Sequence, residues 1–244
     1  MLLTGGSRGI GAAVAGRAAA AGWAVCLTYR DDATAAAAVV VGIEREGGTA
    51  AAVQADISAE GDVLKAFAAA ERLGPLGALV ANAGIAAPKA RVDEMSAERV
   101  ERVFAVNVVG TIMCCREVVR RLSTSHGGPG GSIVLLSSAA SRLGSPGEYV
   151  DYAASKAAVD TLTVGLAQEV AADGIRVNAV APSLAVHPYL VKVTSEDLLA
   201  ELASREPFGR AAEPWEVANV IVFLASDYAS YMTGEVVSVS SQHP

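Results

Sequence analysis

The chain has 244 residues, enough for one large α/β domain, and its net charge of −7 argues against a nucleic-acid-binding surface. Hydrophobic residues make up 52%, but many are alanines, and Arg17, Asn82, Asn107 and several Gly or Pro break the apolar runs short of membrane-spanning length. Three cysteines, two of them adjacent (Cys114 and Cys115), make neither a disulfide framework nor a metal-ligand spacing.

In chain order, only Met1 to Leu3 precede a glycine-rich turn, where a central strand usually needs about five or six residues. Either the chain is trimmed or this strand is unusually short. No basic, cleavable leader precedes it, which reads as a cytoplasmic protein. The turn, Thr4-Gly5-Gly6-Ser7-Arg8-Gly9-Ile10-Gly11, opens an alanine-rich helix over about 10–20. Glycines at 5, 9 and 11 permit positive φ and close approach of a ligand, and the helix N-terminus offers N–H groups and a positive dipole end to a pyrophosphate. A plain structural turn is the bland alternative. The strand before, the helix after and a second strand at 24–28 favour a dinucleotide site.

That second strand ends Thr28-Tyr29-Arg30, with Tyr29 where an NAD site usually carries an acidic residue. Arg30 and Arg8 together suit a 2′-phosphate, unless both are merely solvated, and Asp31 and Asp32 follow at once and weaken such a site. Helices at about 33–46, 59–72, 96–122, 152–172 and 213–226 then alternate with strands at 50–54, 78–81, 132–136, 176–180 and 235–239. The alternation predicts a single doubly wound, Rossmann-type parallel sheet of about seven strands, helices on both faces and ligand at the carboxyl ends of the strands. The Gly127–Gly131 run reads as a surface loop. Cys114 and Cys115 fall in the helix at 96–122. Helix neighbours diverge by about 100°, so at most one should face the core, and both read as packing residues.

Tyr152 and Lys156 stand one helical turn apart on one face. Free tyrosine titrates near ~10, and a nearby ammonium that favours the phenolate would tune Tyr152 to exchange a proton with a carbonyl or an alcohol. Surface pairs share this spacing, so the pair alone decides nothing. Of Ser137 and Ser138, at a strand end, only one can face a pocket. Tyr149 lacks a lysine four residues on and reads as a pocket wall.

Together, the glycine turn, Asp56, Asn82-Ala83-Gly84, Asn107, Ser138, Tyr152-x-x-x-Lys156 and Asn178 resemble the short-chain dehydrogenase/reductase family, in order and over essentially the whole chain. The general look is that of 3-oxoacyl-thioester and other carbonyl reductases. The resemblance implies that Ser138 hydrogen-bonds a substrate carbonyl and Tyr152 supplies its proton. Lys156 holds the nicotinamide ribose and lowers the tyrosine pKa, and Asn107 positions a water behind Lys156. It implies NADP(H), with NAD(H) as the alternative. Gly5, Ser7, Arg8, Gly9, Ile10, Gly11, Tyr29 and Arg30 would hold the phosphates and ribose, and Asp56 and Ile57 the adenine. Asn82, Ala83 and Gly84 would lie beside the adenosine ribose, with Tyr152, Lys156, Pro182, Ser183 and His187 at the nicotinamide end.

The chain departs from the family pattern in three places. His187 takes a threonine slot, Ser240–Pro244 replace an Asp-Gly-Gly ending, and the segment from Ser138 to Tyr152 runs one residue longer than in many relatives. The tail, with Phe208-Gly-Arg210 and Glu213-Pro-Trp215, looks like a subgroup of bacterial reductases, some acting on sterol rings. Residues from Ser183 to about Glu206 would form a substrate lid, apolar at Val186, Tyr189, Leu190 and Val191. His126 and His243 read as structural, and Asn178 as a strand-end hydrogen-bonding residue.

The implied reaction interconverts a ketone and a secondary alcohol, with a 3-oxoacyl thioester as leading substrate. The alternatives are an NAD(H)-dependent dehydrogenase of a hydroxylated ring or sterol-derived compound, and a non-catalytic dinucleotide sensor, against which the intact Asn107, Ser138, Tyr152 and Lys156 argue. The family expectation for assembly is a homotetramer or homodimer, with no metal and no membrane or nucleic-acid partner. The helix around Trp215–Leu224 and the last strand could supply the interface or simply pack in the core.

Overall fold

The computed structural model describes residues 1–185, 201, 203, 204 and 206–241. Its strands are β1 (Leu2–Leu3), β2 (Val25–Tyr29), β3 (Ala50–Gln54), β4 (Ala78–Ala81), β5 (Gly131–Leu136), β6 (Ile175–Pro182) and β7 (Val236–Val239). They form one parallel sheet in the order β3-β2-β1-β4-β5-β6-β7, the predicted architecture. β1 is as short as expected, yet central. Leu2 pairs with Cys26 and Leu79, and Leu3 with Leu27 and Val80. Backbone bonds from Thr4 N to Val80 O (3.0 Å) and from Gly6 N to Thr28 O (2.8 Å) carry the pairing into the glycine turn.

Alternate strand residues point to opposite faces, which explains why the strands read as continuous apolar runs. Leu2, Cys26, Leu79 and Leu135 face one core, shared with α3 (Glu60–Glu71), α5 (Thr111–Leu122) and α7 (Val150–Val170). Leu3, Leu27, Val80 and Val134 face the other, shared with α1 (Gly9–Ala20), α2 (Ala33–Arg45) and α8 (Pro214–Ala225). Between those helices lie α4 (Ala97–Phe104) and a short α6 (Ala140–Leu143). No sequence period announced α6, because four residues make barely one turn.

The helix expected over 96–122 is interrupted. α4 and α5 are joined by a π-helical turn, Ala105–Gly110, a feature that often marks functional sites. Gly110 meets the Asp56-Ile57 segment so closely there that a Cβ would lie 2.7 Å from Ile57 O. The Thr111 hydroxyl donates to Asn107 O at 2.9 Å. Both Cys114 and Cys115 are buried, where the sequence allowed one to face the core. α5 packs against the sheet and, along its side, against α3, so more than a single stripe of it is covered. Burial pushes both thiols up, Cys114 to about 12. Among the described residues no helix is long and apolar enough to cross a membrane, and no group of side chains could hold a metal ion.

Candidate active site

Strand order reverses between β1 and β4, and a cleft of ≈ 630 Å³ opens there at the carboxyl ends of the strands. Its floor is the glycine turn. Gly5 and Gly9 adopt φ of +68° and +55°. A Cβ on Gly11 would fall 2.1 Å from Gly5 O and 2.7 Å from Asn82 Nδ2. Asn82 Nδ2 donates to Thr4 O (2.9 Å) and Gly5 O (2.8 Å), Ala83 N donates to Thr4 Oγ1 (3.0 Å), and Gly5 N donates to Thr28 Oγ1 (3.0 Å). These bonds hold the turn from behind. α1 begins at Gly9 with no side-chain cap and no acidic residue in its first turn. An uncapped, dipole-positive helix end above a cradle that a single methyl would fill fits the pyrophosphate of a dinucleotide.

At the far end of the cleft, Arg30 pairs with Asp31, with Nε donating to Oδ2 at 2.6 Å. Asp32 caps α2 instead, accepting from Ala35 N at 2.8 Å. The Asp56 carboxylate accepts from Ser58 N (3.0 Å), Ser58 Oγ (2.7 Å) and Arg102 Nη2 (2.7 Å). Burial pushes its pKa up, but the bonds from Ser58 and Arg102 prevail and hold it at about 2. Ile57 and Arg102 line the cleft beside it. Arg102 is a residue that the sequence reading missed. Its signal was slight: a basic residue five positions before Asn107 on an otherwise ordinary helix.

At the other end, Ser138 just beyond β5 and Tyr152 in the first turn of α7 line the cleft together, and the serine hydroxyl acts on the phenol. Ser137 points away, as strand alternation requires, with its hydroxyl donating to Asp160 and to Lys156 O (3.4 Å). Lys156, one turn after Tyr152, is buried; its Nζ donates to Leu136 O at 2.6 Å and lies 5.6 Å from the Tyr152 ring centroid. Burial lowers its pKa to about 8, opposed by Asp160. Asn107 sits in the π turn, accepting from Ile85 N (2.8 Å) and donating to Ile85 O (2.9 Å) and Ser155 Oγ (3.0 Å). A Cβ on Gly84 would come within 3.3 Å of Asn107 Oδ1 and 3.4 Å of Lys156 Nζ, so glycine there lets loop, amide and ammonium converge.

One electrostatic expectation is corrected. Burial raises the Tyr152 pKa, and the Ser138 hydrogen bond only partly offsets it. The Lys156 ammonium is turned to the Leu136 carbonyl, with its Nζ 5.6 Å from the phenol ring centroid.

Residues 5–241 match the short-chain dehydrogenase model described as enoyl-(acyl carrier protein) reductase. The chain belongs to the short-chain dehydrogenase/reductase family. It is an oxidoreductase by that membership. It is 48% identical over 240 residues to the uncharacterised oxidoreductase YgfF of Escherichia coli (strain K12), covering 98% of this chain and 97% of that protein. It is 46% identical over 176 residues to (5R,7aS)-5-hydroxy-7a-methyl-1-oxo-2,3,5,6,7,7a-hexahydro-1H-indene-carboxyl-CoA reductase of Mycobacterium tuberculosis (strain ATCC 25618 / H37Rv), covering 71% of this chain and 64% of that one. Among solved structures it resembles a 3-ketoacyl-(acyl-carrier-protein) reductase from Brucella melitensis complexed with NADH, with TM-score 0.90, 32% identity and 98% and 96% of the two chains covered.

Within this short-chain dehydrogenase/reductase, the cleft gathers Gly5, Ser7, Arg8, Gly9, Ile10, Gly11, Tyr29, Arg30, Asp56, Ile57, Asn82, Ala83, Gly84, Ser138, Tyr152, Lys156, Pro182 and Ser183, with Tyr149 on its wall. Asn107 stands behind it, in contact with Ile85. Asn178 lies within β6 and not at its end, and its side chain holds the segment leading into β7, donating to Met232 O (2.8 Å) and accepting from Glu235 N (3.1 Å). His187, His243 and most of the expected lid, residues 186–200, 202 and 205, lie outside the described residues. A second residue pair went unread in the sequence. Arg99 Nε and Nη2 donate to Asp151 Oδ2 (2.8 Å) and Oδ1 (3.2 Å), tying α4 to the first turn of α7, directly beside Tyr152.

Proposed function

We propose that this protein is an NADP(H)-dependent oxidoreductase that interconverts a ketone and a secondary alcohol, with a 3-oxoacyl thioester as its leading substrate class. The observation that carries the reading is the convergence of Ser138, Tyr152 and Lys156 at the end of a cleft whose opposite end is a dinucleotide cradle. When bound, the reduced nicotinamide supplies a hydride to the substrate carbon. The protein's own part is to receive the oxygen. The Ser138 hydroxyl donates one hydrogen bond to it, and Tyr152 holds a second proton ready for transfer, so that charge developing on the oxygen meets two fixed donors. Lys156 holds the ribose and places a positive charge behind the phenol, and Asn107 positions the water through which its proton is exchanged.

Arg8 and Arg30 at the adenosine end support NADP(H), with NAD(H) as the alternative. A second substrate reading, a ketone or hydroxyl on a carbocyclic or sterol-derived ring, is favoured by the mycobacterial relative, whose name specifies a bicyclic ring carried as an acyl-CoA. We read the whole chain as one domain, and as a homotetramer or homodimer.

The test is turnover of 3-oxoacyl thioesters and cyclic ketones with NADPH and with NADH, for wild type and Tyr152→Phe. The expected result is a fall in kcat of about 10²–10⁴-fold in Tyr152→Phe with cofactor affinity retained. Full activity in that variant would sink the assigned proton donor, and a clear preference for NADH would sink the phosphate reading.

A further inference from the structure

Arg30 and Asp31 both line the adenosine end of the cleft. The Nε/Nη2 edge of a guanidinium can engage a phosphate through two parallel bonds. Arg30 turns that edge inward on its own neighbour: Nε donates to Asp31 Oδ2 at 2.6 Å, and Nη2 lies 2.6 Å from the same oxygen. The two acidic residues after β2 are not equivalent. Asp32 is used structurally, as the cap of α2. Asp31 has a side chain 70% exposed, and its strongest interaction is with Arg30, with a weaker pull from Arg8. Its position sets a carboxylate against the cations offered to a 2′-phosphate.

We propose that Asp31 is a specificity-determining residue that competes with a cofactor 2′-phosphate for Arg30, so that the site admits both phosphorylated and unphosphorylated adenosine ribose. This rests on the dinucleotide reading of the cleft. The competitor is weak by construction. An exposed ion pair holds its partner only loosely, so a phosphate dianion displaces the carboxylate and loses part of its affinity in doing so. Unphosphorylated ribose leaves the pair intact and meets no such opposition. Cofactor choice then depends on the balance between Asp31 and the two arginines, not on an arginine standing open.

The test needs no turnover. Wild type, Asp31→Asn, Arg30→Gln and the double variant are titrated calorimetrically with adenosine 2′,5′-bisphosphate and with 5′-AMP. Asp31→Asn is expected to tighten the bisphosphate roughly threefold to tenfold and to leave 5′-AMP within about twofold. The gain should vanish when Arg30 is already glutamine, as pairwise coupling requires. A gain of full size in the Arg30→Gln background would overturn the inference by showing a general charge effect. Weaker 5′-AMP binding in Asp31→Asn would also overturn it, since Asp31 would then be holding ribose hydroxyls. Both fragments binding with no change in Asp31→Asn would remove this inference alone, whereas neither fragment binding to any variant would remove the dinucleotide reading with it.

Discussion

Burial lowers the Lys156 ammonium to about 8 while its Nζ donates to Leu136 O at 2.6 Å, so the residue that must be charged behind Tyr152 changes charge close to physiological pH. The sign follows directly. Lys156 is protonated below about 8, so ketone reduction should hold below that pH and decline as pH rises through it. A profile of reductive kcat/KM against pH checks this, and a limb only above pH 10 would point to Tyr152 instead. The same shift opposes folding. The unfolded lysine keeps its proton up to 10.5, so the penalty is complete below about 8 and is relieved as pH rises from 8 to 10.5. Tyr152 and Lys156 were legible in the sequence because helical spacing places them without tertiary knowledge. The direction of the tyrosine shift was not, because it depends on which groups surround the phenol. Arg102 was illegible for a related reason. It meets Asp56 across 46 residues of chain, a separation with no sequence period.

Between elements, the decisive contact is Arg99 with Asp151. Their side chains are 13% and 3% exposed, and the pair fixes α4 against the start of α7. Truncating one member of a buried ion pair leaves the other charge without compensation. Arg99→Ala is therefore expected to destabilise the fold by about 3–5 kcal/mol, read as a lower urea midpoint, and to reduce kcat because Tyr152 follows Asp151 directly. Arg99→Ala together with Asp151→Ala should cost clearly less than the single change. An unchanged midpoint in Arg99→Ala would remove the pair from the account. The alternation of strands and helices was readable because each strand is a short apolar run and each helix is rich in alanine. The π turn at Ala105–Gly110 was not, since its 26-residue surroundings keep a helical composition throughout and the extra residue is set by the approach of Gly110 to Ile57.

For the whole molecule, acid and assembly are the accessible observables. Asp56 has its pKa held at about 2, so its contribution to stability is complete above the ordinary value of 3.8 and is lost as pH falls through about 2. Arg102→Gln should raise that pKa and move acid unfolding to higher pH, as followed by circular dichroism. Tyr228 and Tyr231 are 91% and 103% exposed, and Trp215 and Phe223 on α8 are also exposed, close in sequence to the edge strand β7. Uncovered aromatic surface of this kind is expected to be buried between copies of the chain. Light scattering should then return two or four times 24.7 kDa, and a monomeric mass at micromolar concentration would overturn that expectation.

From the sequence alone came the parallel doubly wound sheet, the glycine turn and the one-turn spacing of Tyr152 and Lys156, since each depends on local periodicity or on residues a few positions apart. Tertiary structure decided the rest. It turned Ser138 rather than Ser137 into the cleft, buried both cysteines of the vicinal pair and brought Arg102 to Asp56. Each of these outcomes depends on which surfaces meet, and that is settled by packing between segments far apart in the chain.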